Sequence, residues 1–342
     1  MSKSTILITG ATGHLGSRTL ITALEHGYKC RILLRDLTKA EKIRKLASVQ
    51  PFLDDMQFVE VQDITRQDAS NEAIQGVDYV LHIASPIFDP SGASSGPQDW
   101  LKGLCDPAVK GTLSVLRAAS ETKSVKRVVI TSSIVILEPK QGSNLASPYD
   151  LAPVPSEESI KAMNQAQAAY TASKILAYQA ATNFMREERH FDIVHVMPGY
   201  IQGANELATS PSDILRGSAE GTLNIALGNV VDHVKPGPQV LVDDIARTHV
   251  LALNADRVRS GTNLVAVGNG GYGWTWDDFV PVIKKAFPRQ VEDGTLQPKE
   301  GQAIAVLNCD SRDTEKLLGF EFAGPEEMVK SVVCQYLRLI EL

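Results

Sequence analysis

At 342 residues, with 43% hydrophobic and 22% charged residues, the chain is long enough for one large core, or for a core with a smaller lobe. A formal net charge of −6, with no block of like charge, offers no electrostatic footprint for nucleic acid or an anionic membrane surface. The four cysteines (Cys30, Cys105, Cys309, Cys334) are scattered without C-x-x-C spacing, which argues against a disulfide framework and a zinc site. His195, His233 and His249 stand at no metal-ligand spacing, so no metal is expected. No apolar run reaches the roughly 18 residues of a membrane span, and the start lacks a signal-peptide pattern, so a cytoplasmic location is expected.

Short β-branched runs alternate with longer segments of helical period, which predicts parallel βαβ units. The first strand, 5–8, enters Gly10-Ala-Thr12-Gly13-His14-Leu15-Gly16 and then a helix over 15–27, with Gly27 as its stop. Phosphate binding needs close approach of backbone N–H groups, which glycine permits, and the helix N-terminus presents positive charge to a pyrophosphate. The spacing is G-x-x-G-x-x-G rather than G-x-G-x-x-G. The second strand, 29–34, ends in Arg35-Asp36, with Lys39 and Lys42 beyond. A guanidinium at the strand end suits the 2′-phosphate of NADP(H), where an NAD-binding chain offers an acid. Asp36 stands one place away and leaves the alternative open.

The third strand, 56–61, precedes Asp63-Ile64, where the carboxylate could take a hydrogen bond from adenine or serve as a turn residue. The fourth, 79–83, runs into Ala84-Ser85-Pro86, small residues that let a cofactor lie against the backbone. The fifth, 127–131, ends at Thr131-Ser132-Ser133, a strand end where ligands collect in such sheets. A Pro- and Ser-rich stretch, 138–160, reads as a long loop before a helix from Tyr170 to about Met185. Within that helix Tyr170 and Lys174 are spaced i to i+4 and share a face. A nearby ammonium favours the phenolate, so Tyr170 is expected to have a lowered pKa and to act as general acid toward a carbonyl oxygen. Ser133 would share the developing oxyanion. Strands 192–196 and 263–267 complete a sheet of seven.

With these residues in place, the chain resembles the extended short-chain dehydrogenase/reductase family, and within it the dihydroflavonol reductase-like group with its fungal and yeast aldehyde, ketone and methylglyoxal reductases. The resemblance runs nearly end to end. It takes in the glycine turn, Arg35, Asp63-Ile64, His82-Ile-Ala84-Ser85-Pro86 and Pro107-Ala-Val-Lys-Gly-Thr112. Beyond these it covers Thr131-Ser-Ser133, Tyr170 to Lys174, Pro198-Gly-Tyr-Ile201, Val242-Asp-Asp-Ile-Ala-Arg-Thr-His249 and Leu318-Gly-Phe320.

It implies an α/β Rossmann fold, a doubly wound parallel sheet with a smaller C-terminal substrate lobe. It also implies NADPH-dependent reduction of a small-molecule ketone or aldehyde to an alcohol. By the resemblance Ser133 and Tyr170 address the carbonyl, and Lys174 also holds the nicotinamide ribose. Gly10, Thr12, Gly13, His14, Leu15, Gly16, Arg35, Lys39, Asp63, Ile64, Ala84, Ser85, Pro198 and Ile201 line the NADPH site.

The nucleotide-binding domain is expected over 1–200 and about 241–267, the smaller lobe over 201–240 and 268–342. The aromatic group Tyr272, Trp274, Trp276 and Phe279 reads as lobe core or a strand-to-helix connection. Where the plant flavonoid enzymes carry a substrate-gripping Asn, this chain has Glu138, so dihydroflavonols are not expected as substrates. The stretch from Phe88 to Leu104 is individual and would help shape the pocket. Two other readings are an NAD-dependent epimerase or hydroxysteroid-dehydrogenase-type enzyme, and a non-catalytic NADP-sensing protein; retention of both Tyr170 and Lys174 disfavours the latter. A monomer and a homodimer are equally compatible with the sequence.

Overall fold

The computed structural model describes residues 3–86 and 99–341, so most of the individual stretch from Phe88 lies outside the described residues. Seven parallel strands form the central sheet in the order β3-β2-β1-β4-β5-β6-β9. They are β1 (Thr5–Thr9), β2 (Lys29–Leu34), β3 (Met56–Glu60), β4 (Tyr79–His82), β5 (Arg127–Thr131), β6 (Asp192–Pro198) and β9 (Asn263–Ala266). Each agrees with its sequence-derived strand to within two residues. The apolar runs show why: Ile6, Leu7 and Ile8 of β1 are wholly buried, as helices cover both faces of the sheet.

The strand order reverses between β1 and β4, which opens a crevice at their carboxyl ends. Gly10 follows β1, Ala84 follows β4, Ser133 follows β5 and Pro198 ends β6, so every expected catalytic loop emerges on that edge.

The helices of the first half are α1 (His14–Glu25), α2 (Ala40–Arg44), α3 (Asp106–Glu121), α4 (Glu157–Lys161) and α5 (Ala166–Phe184). Gly27 has φ +83°, the left-handed conformation of a helix stop. Helix α5 starts a full turn before Tyr170, which places the phenol in the helix interior rather than at its start. The 138–160 stretch is not free loop: it carries part of α4 and is stitched down by β-bridges Leu137–Leu151 and Ala146–Cys309.

Two three-residue strands, β7 (Tyr200–Gln202) and β8 (Gln239–Leu241), form a separate parallel pair that sequence patterning did not reveal. Beyond them lie α6 (Pro211–Leu215), α7 (Glu220–Ala226), α8 (Val242–Leu251), α9 (Phe279–Ala286), α10 (Pro288–Glu292), α11 (Arg312–Leu318) and α12 (Pro325–Ile340). Helices α7, α9 and α12 enclose their own apolar cluster, in which Trp276, Phe279, Ile283, Met328 and Val329 are fully covered. Tyr272 departs from its aromatic neighbours and is 48% exposed.

At the opposite edge of the sheet Arg127, almost wholly buried, grips both oxygens of Asp192 at 2.5 and 2.7 Å and donates to the Ala252 carbonyl at 2.8 Å. That fork joins β5, β6 and the end of α8 far from the crevice.

Candidate active site

The glycines of the first turn have separate reasons to be glycine. Gly10 has φ +81°, and a Cβ there would lie 2.7 Å from the Ala84 nitrogen. At Gly16 a Cβ would fall 2.0 Å from the Gly10 carbonyl oxygen, so this glycine lets α1 pack onto the turn. Gly13 is different: its φ of −96° is ordinary, and a Cβ would meet only the Gly10 oxygen at 3.4 Å. Gly13 is the N-cap of α1, no side chain caps that end, and the first turn holds no acid. Thr12 and Gly13 are exposed there. The result is an open cradle of unsatisfied N–H groups, and a dinucleotide pyrophosphate fits it. Leu15 is buried beneath, and His14 Nε2 donates to the Ala204 carbonyl at 3.1 Å, crossing to the segment after β7.

Arg35 and Lys39 are exposed beyond β2. Asp36, which could have served as a ribose acid, is the N-cap of the short 3₁₀ turn Leu37–Lys39 and accepts from the Thr38 N–H at 2.9 Å. Asp63 is likewise engaged as a turn residue: its Oδ1 accepts from Thr65 N at 2.9 Å and Thr65 Oγ1 at 2.7 Å. Those bonds hold its carboxyl below the usual range, with the Arg66 and Arg35 charges adding smaller effects. Ile64 packs against Gly111 of α3. Ala84 N donates to Thr9 Oγ1, and Ser85 follows half-buried. Pro198 is buried at the end of β6, whereas Ile201 packs against the main sheet core from β7.

Ser133, Tyr170 and Lys174 come together at the carboxyl edge. Ser133 Oγ accepts from Val135 N at 3.4 Å and hydrogen-bonds the Tyr170 phenol, a contact that favours the phenolate. Lys174 Nζ lies 5.8 Å from the Tyr170 ring centre and donates to the Thr131 carbonyl at 3.2 Å. Burial, with no carboxylate partner among the described residues, lowers the Lys174 pKa to about 8. For Tyr170 the direction is opposite to the sequence expectation. Burial raises its pKa, and the Ser133 bond opposes this.

The model of the NAD dependent epimerase/dehydratase family matches residues 6–268. The chain belongs to that family. Ketoreductase CTB6 of Cercospora beticola is 34% identical to it, over 100% of this chain and 97% of the relative. NAD-dependent epimerase/dehydratase ALT6 of Alternaria alternata is 35% identical over 98% of each. Yeast methylglyoxal/isovaleraldehyde reductase Gre2, solved with NADPH, superposes with a TM-score of 0.77 over 98% of this chain and 99% of that one; at 23% identity the likeness speaks for the fold. The resemblance drawn from the motifs therefore holds, and the chain is an NAD(P)-dependent oxidoreductase.

Beneath the site of this epimerase/dehydratase family member lie three buried histidines to which sequence reasoning gave no role. Thr9 Oγ1 accepts from Ile83 N and Ala84 N, each at 3.1 Å, so its own proton goes to His82 Nδ1 at 2.9 Å. Burial, reinforced by the Lys174 charge, lowers the His82 pKa to about 4. His249 Nε2 lies 2.7 Å from Thr131 Oγ1, and burial lowers its pKa to about 4 as well. His195 is packed against Tyr178 with ring centres 4.5 Å apart, and burial lowers it to about 3. The only signal in the sequence was a Thr at each strand end; nothing local links Thr131 to a histidine 118 residues on.

Proposed function

We propose that this oxidoreductase is an NADPH-dependent carbonyl reductase that converts a ketone or aldehyde on a small organic molecule to an alcohol. The observation that carries the reading is the Ser133–Tyr170 hydrogen bond beside a buried Lys174 that pairs with no carboxylate among the described residues, on the same edge as the open glycine cradle. NADPH, when bound, supplies the hydride. Tyr170 donates the proton to the carbonyl oxygen, Ser133 donates a hydrogen bond to the same oxygen, and the Lys174 charge stabilises the phenolate left behind. Ketoreductase names among the relatives support the carbonyl as substrate group.

Preference for NADPH follows from Arg35, with Lys39 beside it, since Asp36 and Asp63 are both engaged in turns. The cradle from Gly10 to Gly16 with Ala84, Ser85 and Pro198 takes the pyrophosphate and nicotinamide, and Asp63-Ile64 and Ile201 border it. The same reading makes 1–200 with about 241–267 the nucleotide-binding domain, and 201–240 with 268–342 the lobe that closes on the substrate. The separate apolar cluster around Trp276 supports that division.

The test is loss of nicotinamide absorbance with NADPH and NADH in parallel, against aldehydes, α-dicarbonyls, β-keto esters and aryl ketones. Turnover is expected with NADPH. Arg35→Ala is expected to raise the KM for NADPH about 10- to 100-fold, the cost of one charge-assisted contact, with little change for NADH. Equal effects on both cofactors would remove Arg35 from the argument.

A further inference from the structure

We infer that His249 is a positioning residue for the Lys174 ammonium, acting through Thr131. This rests on the reading of Tyr170 and Lys174 just given. His249 is wholly buried on α8. Its Nδ1 lies 2.8 Å from the Ile245 carbonyl, which can only accept, so Nδ1 carries the proton. The lone pair is then at Nε2, and Thr131 Oγ1 donates to it at 2.7 Å. Thr131 is the last residue of β5, and its main-chain carbonyl is the sole acceptor of Lys174 Nζ among the described residues. Ser133, which meets Tyr170, follows two positions later. One histidine side chain therefore holds the strand end on which both halves of the Tyr170–Lys174 pair depend.

The surroundings of Lys174 make this hold consequential. The groups that face it are His82 from β4, itself a neutral ring that feels the ammonium charge, and Tyr170 from its own helix. Ser133 is reached through Tyr170, and no carboxylate pairs with Lys174 among the described residues. With the Thr131 carbonyl displaced, the ammonium loses the one hydrogen-bond acceptor it has among the described residues and gives up its proton at lower pH.

Three single variants and the Thr131→Val/His249→Leu double variant test this. Thr131→Val keeps the shape of the side chain and removes the hydroxyl; His249→Leu removes the acceptor; His249→Gln returns an acceptor near the position of Nε2. We expect Thr131→Val and His249→Leu each to lower kcat about tenfold, the scale of one hydrogen bond. The alkaline limb of the pH–rate profile should move to lower pH by about half a unit to one unit. His249→Gln should restore most of both, and the double variant should be no worse than the poorer single one. In the unliganded wild-type protein, nitrogen NMR should show His249 protonated at Nδ1 and not titrating above pH 5.

If His249→Leu does not fold, Thr131→Val carries the test alone. An unmoved alkaline limb, with activity lost only in proportion to folded protein, would overturn the inference, as would a His249 ring that titrates near 6.5. Tyr170→Phe separates the two levels: normal turnover in that variant removes the functional reading itself. An inactive Tyr170→Phe together with an unmoved limb in Thr131→Val removes only the role of His249.

Discussion

Tyr170→Phe is expected to lower kcat about 10²- to 10⁴-fold, the usual contribution of a positioned general acid, with the NADPH dissociation constant changed little. The substitution removes one oxygen and its bond to Ser133. It leaves the ring in its apolar surroundings with Trp100, Leu104, Met163 and Ala169, so the melting temperature should stay near that of the wild type. A rate measured at saturating NADPH and carbonyl substrate checks it. Normal turnover would mean that the proton reaches the oxygen by another route.

The glycine turn yields a prediction of similar size, in which two neighbouring glycines fail in opposite ways. Gly13→Val should leave the protein folded, since φ is ordinary and a Cβ meets only one atom at 3.4 Å. Its branches would instead fill the cradle in front of α1. Loss of one or two charge-assisted bonds to phosphate should raise the NADPH dissociation constant about 100-fold or more. Gly16→Ala meets the Gly10 carbonyl at 2.0 Å, so α1 must shift and the melting temperature should fall, with cofactor binding lost as a consequence. Fluorescence titration with NADPH alongside thermal melting separates the two outcomes. Equal loss of stability in both variants would show that Gly13 serves the fold rather than the ligand.

Most of the sheet was legible because both of its faces are covered, and continuous apolar runs such as Ile6-Leu7-Ile8 have no other reasonable place. The small β7–β8 pair was not, since strands of three residues carry no period, and their pairing depends on contact across nearly forty positions. Helix α8 went unread as a helix because it starts directly after β8 with no spacer, although its residues contributed to the family resemblance.

At the site, identity was easier to read than electrostatics. The i to i+4 spacing of Tyr170 and Lys174 was visible, but the direction of the Tyr170 shift was not. That direction depends on how deeply the phenol is buried, which spacing along a helix does not reveal. Asp63 shows the same limit: a carboxylate after a strand serves a nucleotide or a turn, and only the position of Thr65 shows which bonds it makes.

The three neutral histidines under the site also set how the protein tolerates acid. His82 and His249 hold pKa values of about 4 and His195 about 3, against 6.5 for an exposed ring. Below pH 6.5 the unfolded chain takes up protons at these positions while the native chain refuses them, so stability is full above that pH and falls on acidification. Each such proton steepens the decline by about 1.4 kcal/mol per pH unit, and the three slopes add. Denaturant midpoints measured from pH 7.5 down to 4.5 should fall, most steeply once the pH is well below 6.5. His195→Phe, which removes one ring and keeps the stacking on Tyr178, should flatten the curve by about one proton's worth. A site that keeps the histidines beneath it uncharged thus fixes a lower pH bound on the folded state.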